Sequence, residues 1–235
     1  MGLLFVTPDA ALGVWLSLVP ALALAIDRSL GEPPVRWHPV VWMGHYLTWA
    51  GMRCAPRADA PPPGGHARAF WLGALAWCVG AAIVGGAAWQ LQAWLLRLPD
   101  WATVLLLALL LKPLLAWALL HDEVLAVEQA LAHSLADGRA RLARLVSREV
   151  DALTEVQVRE SAIESLAENL NDSLVAPLVW FALLGLPGAA LFRFANTADA
   201  MWGYRGTRVL GGVARDWRRA GTWAARADDV LAWLP

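Results

Sequence analysis

Four long apolar stretches constrain the fold of this chain more than any other sequence feature. They cover residues 10–26, 69–88, 101–120 and 173–195. A helical stretch of roughly 20 apolar residues matches the thickness of the hydrocarbon core of a bilayer. Hydrophobic residues make up 58% of the 235 residues and charged residues only 17%, which is too apolar for an ordinary soluble domain. We therefore expect an all-α fold, a polytopic α-helical membrane protein in which residues 1–235 form a single membrane domain.

The composition also argues against several functional classes. A net charge of −1 gives no electrostatic basis for binding nucleic acid. Cys54 and Cys78 lie in different surroundings, so we expect neither a disulfide nor a cysteine metal site. The chain lacks the glycine-rich P-loop and dinucleotide motifs that hold nucleotides in many enzymes. No basic residue precedes the first apolar stretch, which favours a retained span over a cleaved signal peptide.

The polar regions between these stretches predict the topology. We expect residues 27–68 to form a polar loop, residues 121–172 a cytoplasmic region of two or three helices, and residues 196–235 a polar tail. Within the second region, Asp137-Gly138 predicts a turn. Five arginines lie in the first region, five in the second and six in the tail. Because basic regions remain in the cytoplasm, the first two should lie there, with the N-terminus outside.

The fourth apolar stretch conflicts with this charge distribution. If residues 173–195 crossed the bilayer once, the tail with its six arginines would lie outside. We therefore predict that the stretch enters the membrane and turns back at residues 185–188, Gly-Leu-Pro-Gly. Such a re-entrant backbone is tolerated where protein or a water-filled cavity covers it. A single kinked span is the alternative.

An acidic stripe runs into this fourth stretch. If residues 161–172 are helical, Glu164, Glu168, Asn171 and Asp172 fall within an arc of roughly 100° on one helix face. No lysine or arginine follows these acids at i+4, so local pairing does not neutralise them. A solvated helix face is the simpler interpretation. The position at a membrane boundary favours a functional one, because unpaired charge is costly there.

Two features within the apolar stretches also point to specific structure. Residues 69–88 are rich in glycine and alanine, which would let another helix approach closely. Lys112, followed by Pro113, lies inside the third stretch. An intramembrane charge is a functional candidate by default, but Lys112 could instead extend to the interface, pair with a carboxylate or mark a kink.

Four polar clusters could carry chemistry. The first comprises Asp27-Arg28, Gly31-Glu32-Pro33-Pro34 and residues 37–44; the second is the acidic stripe; the third is residues 196–205; the fourth is residues 226–229. They offer carboxylates for Mg²⁺, arginines for phosphate and aromatic rings for a large planar ligand. This combination is typical of phosphoryl or nucleotide chemistry without a covalent nucleophile. His38 precedes a proline, where a histidine more often makes a loop hydrogen bond than binds a ligand.

In this order, the clusters resemble the membrane-bound adenosylcobinamide-phosphate synthases of cobalamin biosynthesis, the CbiB/CobD family. The resemblance rests on Leu-Gly-Glu-Pro-Pro and Trp-His-Pro-Val near the N-terminus, Glu-Ser-Leu-Ala-Glu-Asn-Leu-Asn-Asp at 164–172, Asn-Thr-Ala-Asp-Ala-Met-Trp-Gly-Tyr-Arg at 196–205, and Arg-Ala-Asp-Asp at 226–229. It implies a multi-pass protein of the bacterial inner membrane. That protein would use ATP and Mg²⁺ to join adenosylcobyric acid, a corrinoid, to aminopropanol or its phosphate through an amide bond.

The resemblance also implies site residues. It assigns catalytic and metal-binding roles to Glu164, Glu168 and Asp172. Substrate contacts are expected from His38, Asn169, Asn196, Asp199, Tyr204, Arg205, Asp228 and Asp229. The expected partners are the corrinoid and aminopropanol phosphate substrates, the lipid bilayer and other cobalamin-assembly enzymes.

Two departures from the family pattern bear on this interpretation. Family members continue past the Arg-x-Asp-Asp motif with further apolar segments, whereas this sequence stops at Pro235. Residues 206–222 also depart from the more aromatic segment that the resemblance leads us to expect there. The competing hypothesis is a non-catalytic, AmpE-like membrane sensor or partner protein of the same fold. Acid and amide motifs that match the synthases favour the enzyme.

Overall fold

A computed structural model describes residues 10–31, 33–59, 65–146 and 148–235 of the chain. The α-helices are α1 (Ala10–Leu16), α2 (Val19–Leu30), α3 (Pro39–Cys54), α4 (Gly65–Leu95), α5 (Asp100–Leu111), α6 (Trp117–Leu131), α7 (Leu135–Leu142), α8 (Glu155–Leu170), α9 (Ala176–Leu184), α10 (Leu186–Trp202) and α11 (Thr222–Trp233). Short 3₁₀ turns lie at Val35–Trp37 and Lys112–Leu114, and a π-helical segment at Asn171–Val175. Two antiparallel strands, β1 (Thr207–Leu210) and β2 (Val213–Asp216), form the sheet.

The helical membrane fold that the sequence predicts is confirmed. Residues 13–30 and 67–95 are helical, long and apolar enough to cross a bilayer. A third span is formed if α5 and α6, bent by 45° at a short break, are taken together. Only 22% and 33% of the residues in the first two spans are buried, so most of their side chains face outward, as lipid contact requires.

The expectation of a polar loop over residues 27–68 is wrong for most of that region. Helix α2 continues to Leu30, and α3 occupies Pro39–Cys54. His38 caps α3, because its Nδ1 accepts a hydrogen bond from the Val40 amide at 3.3 Å, and Pro39 follows at the first helical position. Glu32, from the same motif, lies outside the described residues. Cys54 and Cys78 are both free thiols, as expected.

Glycines on α4 let α10 pack closely against it, which confirms the prediction for the glycine- and alanine-rich stretch. A Cβ on Gly80 would lie 2.4 Å from the ring of Phe194, and one on Gly85 would lie 3.1 Å from Leu191. A larger residue at Gly80 would therefore force α10 away from α4. Helix α10 is the centre of the fold, because it packs against α3, α4, α9 and α11.

The chain reverses direction between α9 and α10, at the position that the sequence predicts. Gly185 has φ 72°, a left-handed conformation that favours glycine. A Cβ on Gly188 would lie 2.2 Å from the carbonyl oxygen of Trp180, so the two helices are in close contact immediately after the turn. The buried Gln92 of α4 holds the turn, since its Oε1 accepts a hydrogen bond from the Leu186 amide at 2.7 Å.

Helices α6, α7 and α8 pack around a second, smaller core, whose buried residues are Val127, Leu131, Leu142, Val150, Val158 and Ala162. This agrees with the predicted helical region. The predicted turn at Asp137-Gly138 is wrong, because both residues lie in the first half of α7. Ser134 caps that helix instead by accepting the Asp137 amide. Gly138 is required for packing, since a Cβ there would lie 2.3 Å from Leu131.

Lys112 pairs with a carboxylate, one of the alternatives that the sequence left open. Its Nζ lies 3.5 Å from Oδ1 of Asp27, and their side chains are only 5% and 0% exposed. The other oxygen of Asp27 accepts the Ala118 amide at 2.9 Å. This ion pair therefore ties α2 to both sides of the break between α5 and α6. Asp27 thus has a structural partner away from the other polar clusters.

The C-terminal region is packed rather than a loose polar tail. Trp202 and Trp217 are fully buried, and their rings stack at 5.8 Å. Trp202 also donates a hydrogen bond to the carbonyl of Leu47 in α3. A Cβ on Gly221 would lie 1.7 Å from the carbonyl oxygen of Trp202, so glycine is required where α11 starts against the end of α10. These contacts fix α11 beside α10.

Candidate functional site

Three elements bring polar side chains together at the end of the α9–α10 pair that lies away from the turn at Gly185. They are the π-helical segment Asn171–Val175, helix α10 and helix α11. The side-chain amide of Asn171 donates a hydrogen bond to the backbone carbonyl of Ala232 at 3.3 Å. The indole N–H of Trp180 donates to the backbone carbonyl of Leu231 at 2.9 Å. Helix α11 is thereby held against both the π-helical segment and α9. π-Helical turns are uncommon and frequently lie at functional sites.

We call Asp172, Asp199, Asp228 and Asp229 the acidic cluster. They lie outside the candidate membrane spans. Asp172 Oδ2 accepts a hydrogen bond from the side-chain amide of Asn196 at 3.0 Å, which joins the π-helical segment to α10. Asp228 is 9% exposed, and its Oδ1 is buried with no hydrogen-bond partner in the described part of the chain. A buried carboxylate oxygen without a donor is costly, so this arrangement points to function.

Burial and mutual repulsion raise the pKa values of three of these carboxyl groups. For Asp172, burial raises the pKa, while the hydrogen bond from Asn196 and the charge of Arg193 oppose the increase. For Asp199, burial raises the pKa first, followed by the charges of Asp229 and Asp172. For Asp228, burial and then repulsion from the other three carboxylates raise the pKa to about 7. Asp228 therefore titrates near neutral pH, where proton transfer is efficient.

Arg193 supports the cluster from inside the α10 packing. It is buried, its Nε donates to the carbonyl of Leu114 at 2.7 Å, and its Nη1 lies 3.5 Å from Oδ1 of Asn196. The guanidinium thus links the break between α5 and α6 to the amide that holds Asp172. Sequence reasoning missed Arg193. Its charge within an apolar stretch was the signal that could have revealed it.

The contact between Gly203 and Asp199 explains why the Trp-Gly-Tyr motif has a glycine at its centre. A Cβ at this position would lie 2.0 Å from Oδ1 of Asp199. The Gly203 amide also donates to the backbone carbonyl of Asp199 at 2.7 Å, which ends α10. Only glycine leaves room for the Asp199 carboxylate in this position.

A second polar feature, the arginine cleft, adjoins the acidic cluster. It has a volume of about 600 Å³, and its charged lining residues are Arg205, Arg218, Arg219, Arg226 and Asp229. Tyr204 and Trp217 contribute aromatic walls. Asp229 belongs to both features, because it lines the cleft and raises the pKa values of Asp199 and Asp228. Asp229 therefore connects the acidic cluster to the arginine cleft.

The structure separates the outer part of the acidic stripe from this region. Glu164 is 64% exposed and pairs with Arg148 at 2.6 Å, so the expectation that it has no basic partner is wrong. Arg148 comes from the segment before α8 and could not be found from i+4 spacing. Glu168 is exposed but close enough to raise the pKa of Asp172. The Asn169 side chain donates to the carbonyl of Ser165 in its own helix.

The remaining predicted site residues lie in two places. Tyr204, which is 43% exposed, stacks under the guanidinium of Arg208 at 4.3 Å and lines the arginine cleft together with Arg205. His38 lies at the start of α3, next to residues that line a separate apolar cavity of about 700 Å³. Among the described residues, no three His, Cys, Asp or Glu side chains are grouped closely enough to hold a metal by themselves.

Comparisons with known proteins find the family that the motifs resemble. The family model described as "CobD/Cbib protein" matches residues 20–235. The chain is 40% identical over 217 residues to "Cobalamin biosynthesis protein CobD" of Chromobacterium violaceum, which covers 91% of this chain and 64% of that protein. It is 38% identical over 220 residues to "Probable cobalamin biosynthesis protein CobD" of Thermococcus kodakarensis, covering 93% and 67%. The chain thus spans about two thirds of the length of these relatives. No solved structure matches it.

Proposed function

Because this chain belongs to the CobD/Cbib protein family, we propose that it acts in cobalamin biosynthesis as an amide-forming ligase. In this proposal ATP activates a carboxylate of adenosylcobyric acid as an acyl phosphate. The amine of aminopropanol or its phosphate then attacks, and phosphate leaves as the amide forms. The observation that supports a catalytic role most directly is the acidic cluster, in which a buried carboxyl with a pKa of about 7 lies among three others.

The protonation state of Asp228 suits the base that this reaction needs. An alkyl ammonium must lose a proton before its nitrogen can attack, and a second proton must leave as the amide forms. A carboxylate with a pKa near the working pH can accept a proton and release it to water afterwards. Asp228 combines such a pKa with an orphaned oxygen, Oδ1, that is not occupied by a structural hydrogen bond within the described residues.

Asn196 and Asp199 position the reaction in this proposal. Asn196 fixes Asp172 through its side-chain amide, and Asp199 lies against Gly203, close enough to Asp229 and Asp172 for their charges to raise its pKa. Phosphorylation adds negative charge to the substrate carboxylate, and the arginines of the adjoining cleft would offset that charge.

The donor set fits Mg²⁺ as the partner of ATP. Mg²⁺ usually keeps several waters and binds through one or two carboxylates together with substrate phosphates. Glu168 and Asp172 repel each other, since Glu168 raises the pKa of Asp172, and a cation between them would relieve that repulsion. These two residues would hold Mg²⁺, which would neutralise charge on the phosphates. Glu164, the third predicted ligand, is engaged by Arg148.

An amide-forming assay tests the proposal. Membranes that contain the chain would be incubated with adenosylcobyric acid, aminopropanol phosphate, ATP and Mg²⁺, and the amide product would be measured by mass spectrometry. We expect product from the wild type and at least a hundredfold less from Asp199→Asn and Asp228→Asn. Asp151→Asn, at an exposed position of the loop before α8, is the matched control and should keep full turnover.

Two results would count against the proposal. Full turnover in both cluster variants would show that the acidic cluster is not the active site. No product from a wild-type chain that inserts and folds normally would favour the non-catalytic, AmpE-like alternative. Glu164→Gln distinguishes the role of Glu164 from that of the acidic cluster, because this substitution changes an exposed ion pair and leaves the cluster intact.

A further inference from the structure

One face of α11 carries apolar side chains that the described part of the protein leaves uncovered. Trp223, Val230 and Leu234, the residue that caps the helix, follow one another at i, i+7 and i+11, which places them in one row along the helix. All three are exposed, Val230 to 70%. We call these three residues the outer stripe. An exposed apolar row of this kind is typical of a surface that contacts a partner or a membrane.

The other side of α11 packs against the protein. Ala224 and Asp228 are buried there. Val230 follows Asp228 by two residues, which places their side chains roughly 160° apart around the helix. Helix α11 therefore lies between the acidic cluster and whatever covers the outer stripe. The position of Asp228 depends on how both faces of the helix are held.

The outer stripe continues the outward surface of α4, which is a candidate membrane span over residues 67–95. Trp71 of that span is 67% exposed, and its ring contacts that of Phe70 at 5.2 Å. Phe70 in turn contacts Trp223 at 6.5 Å, and Trp77 contacts Trp223 at 6.4 Å. A continuous aromatic row thus leads from the outward side of a membrane helix to the outer stripe.

The residue types and their level along α4 favour lipid as the occupant of this surface. A Cβ on Gly73 would lie 2.0 Å from the carbonyl oxygen of Ala220, so the segment that leads into α11 lies against the N-terminal part of α4. Tryptophan is enriched at that level of a span, where its ring is in apolar surroundings and its N–H can reach water. The outer stripe contains no charged residue, and Arg226 beside it is exposed and long enough to extend toward anionic headgroups.

We propose that the outer stripe of α11 contacts lipid of the bilayer that surrounds α4, and that this contact holds α11 against α10. The start of α11 then lies at the membrane boundary, with Trp223 beside Phe70. The bilayer thereby stabilises the helix that carries Asp228. The proposal concerns a lipid contact, and it holds whether or not the acidic cluster forms an amide.

Spin labels on single cysteines test the contact in nanodiscs of phosphatidylethanolamine and phosphatidylglycerol. The background is Cys78→Ser, in which the remaining Cys54 is buried. The measurement is the ratio of collisions with molecular oxygen, which dissolves in lipid, to collisions with a water-soluble nickel chelate. At Val230→Cys this ratio should match that at Leu75→Cys, an outward position of α4 that is 61% exposed. It should be at least about tenfold above the ratio at Arg144→Cys, an exposed position outside the candidate spans, because the bilayer core excludes water.

Two outcomes of the labelling experiment would overturn the inference. A ratio at Val230→Cys equal to that at Arg144→Cys would show that the outer stripe faces water. Low collision rates with both reagents would show that protein covers the stripe. In that case, spectral broadening that disappears when labelled chain is diluted with unlabelled chain would identify the covering protein as a second copy.

Val230→Asn tests whether the lipid contact holds the helix. Valine and asparagine have similar helix propensities, so the substitution mainly places a polar amide in lipid, which is unfavourable. In nanodiscs, the backbone amides of residues 225–233 should exchange with deuterium at least about tenfold faster in this variant than in the wild type. Val156→Asn is the matched control, since Val156 is 62% exposed on α8 outside the candidate spans, and the exchange of α8 should not change.

Unchanged exchange of α11 in Val230→Asn would refute the role of lipid in holding the helix. Neither the collision ratio nor the exchange rate requires turnover. Failure of the ligase assignment would therefore leave both readouts intact, and failure of the lipid contact would be visible in a chain that forms the amide.

Discussion

Replacing Asp228 with asparagine should stabilise the folded protein at alkaline pH while it removes the proposed base. The substitution keeps the shape of the side chain but cannot ionise. In the wild type, burial and the charges of Asp172, Asp199 and Asp229 raise the pKa of Asp228 to about 7. The folded state therefore becomes less stable when this group is forced to ionise, and asparagine avoids that ionisation.

The magnitude follows from linkage. A carboxyl with a pKa of 3.8 when unfolded and about 7 when folded reduces the free energy of unfolding by about 4 kcal/mol above pH 7. Asparagine avoids the ionisation but buries an amide that loses hydrogen bonds to water, so we expect roughly half of this free energy, about 2 kcal/mol, to be recovered in the variant. The folded state binds more protons than the unfolded state between these two pKa values. The advantage of asparagine thus grows as pH rises from about 4 to 7 and is constant above that.

Thermal unfolding in detergent measures this effect. A thiol-reactive fluorophore can report on the buried Cys54 in a Cys78→Ser background, because the Cys78 side chain is exposed. At pH 8 the Asp228→Asn variant should unfold about 5 °C above the wild type, and at pH 5 the difference should fall to less than half. Asp151→Asn is the matched control and should not change the unfolding temperature. An equal difference at pH 5 and pH 8, or a variant less stable than the wild type, would refute the linkage argument.

Three further substitutions test the framework around the cluster. Gly203→Ala, whose Cβ would lie 2.0 Å from a cluster carboxylate oxygen, should reduce product formation at least tenfold in the amide assay, whereas Gly206→Ala, with open space around its Cβ, should not. Lys112→Met should leave the buried Asp27 carboxylate unpaired and reduce the free energy of unfolding by about 3 kcal/mol, and Asp27→Asn in the same chain should restore most of the loss, as measured by unfolding temperature. Arg193→Lys keeps the positive charge but loses the planar guanidinium that reaches both the Leu114 carbonyl and the Asn196 side chain. We therefore expect kcat to fall about tenfold while the unfolding temperature changes little.

The sequence predicted the parts of the fold that depend on local pattern. Apolar length predicted the membrane helices, and Gly185 with the arginines of the tail predicted the reversal between α9 and α10. Periodicity also predicted that an acidic face runs along α8. These features depend on neighbouring residues in the chain, so one sequence is enough to find them.

Contacts between distant residues could not be predicted in the same way. The i+4 rule indicated that Glu164 has no partner, but Arg148 reaches it from 16 residues earlier. The π-helical segment also changes the register of the stripe, so Asp172 is half-buried against Asn196 while Glu168 is exposed. Helix periodicity of 3.6 residues cannot anticipate a wider turn. The pairing of Asp27 with Lys112 similarly depends on how the broken third span packs against α2.

The reversal at Gly185 explains why motifs that are far apart in sequence form one site. Asp172 and Asn196 lie at similar distances along the chain on either side of that turn, so antiparallel packing of α9 and α10 alone places them opposite each other. Helix α11 then adds Asp228, because Gly221 lets it begin directly against the end of α10. The position of the carboxylates is therefore determined by the turn at Gly185, by the close contacts at Gly188 and Gly221, and by the hydrogen bond that Gln92 accepts from the turn. A substitution at Gly185 or Gly188 should consequently separate the acids without changing any of them.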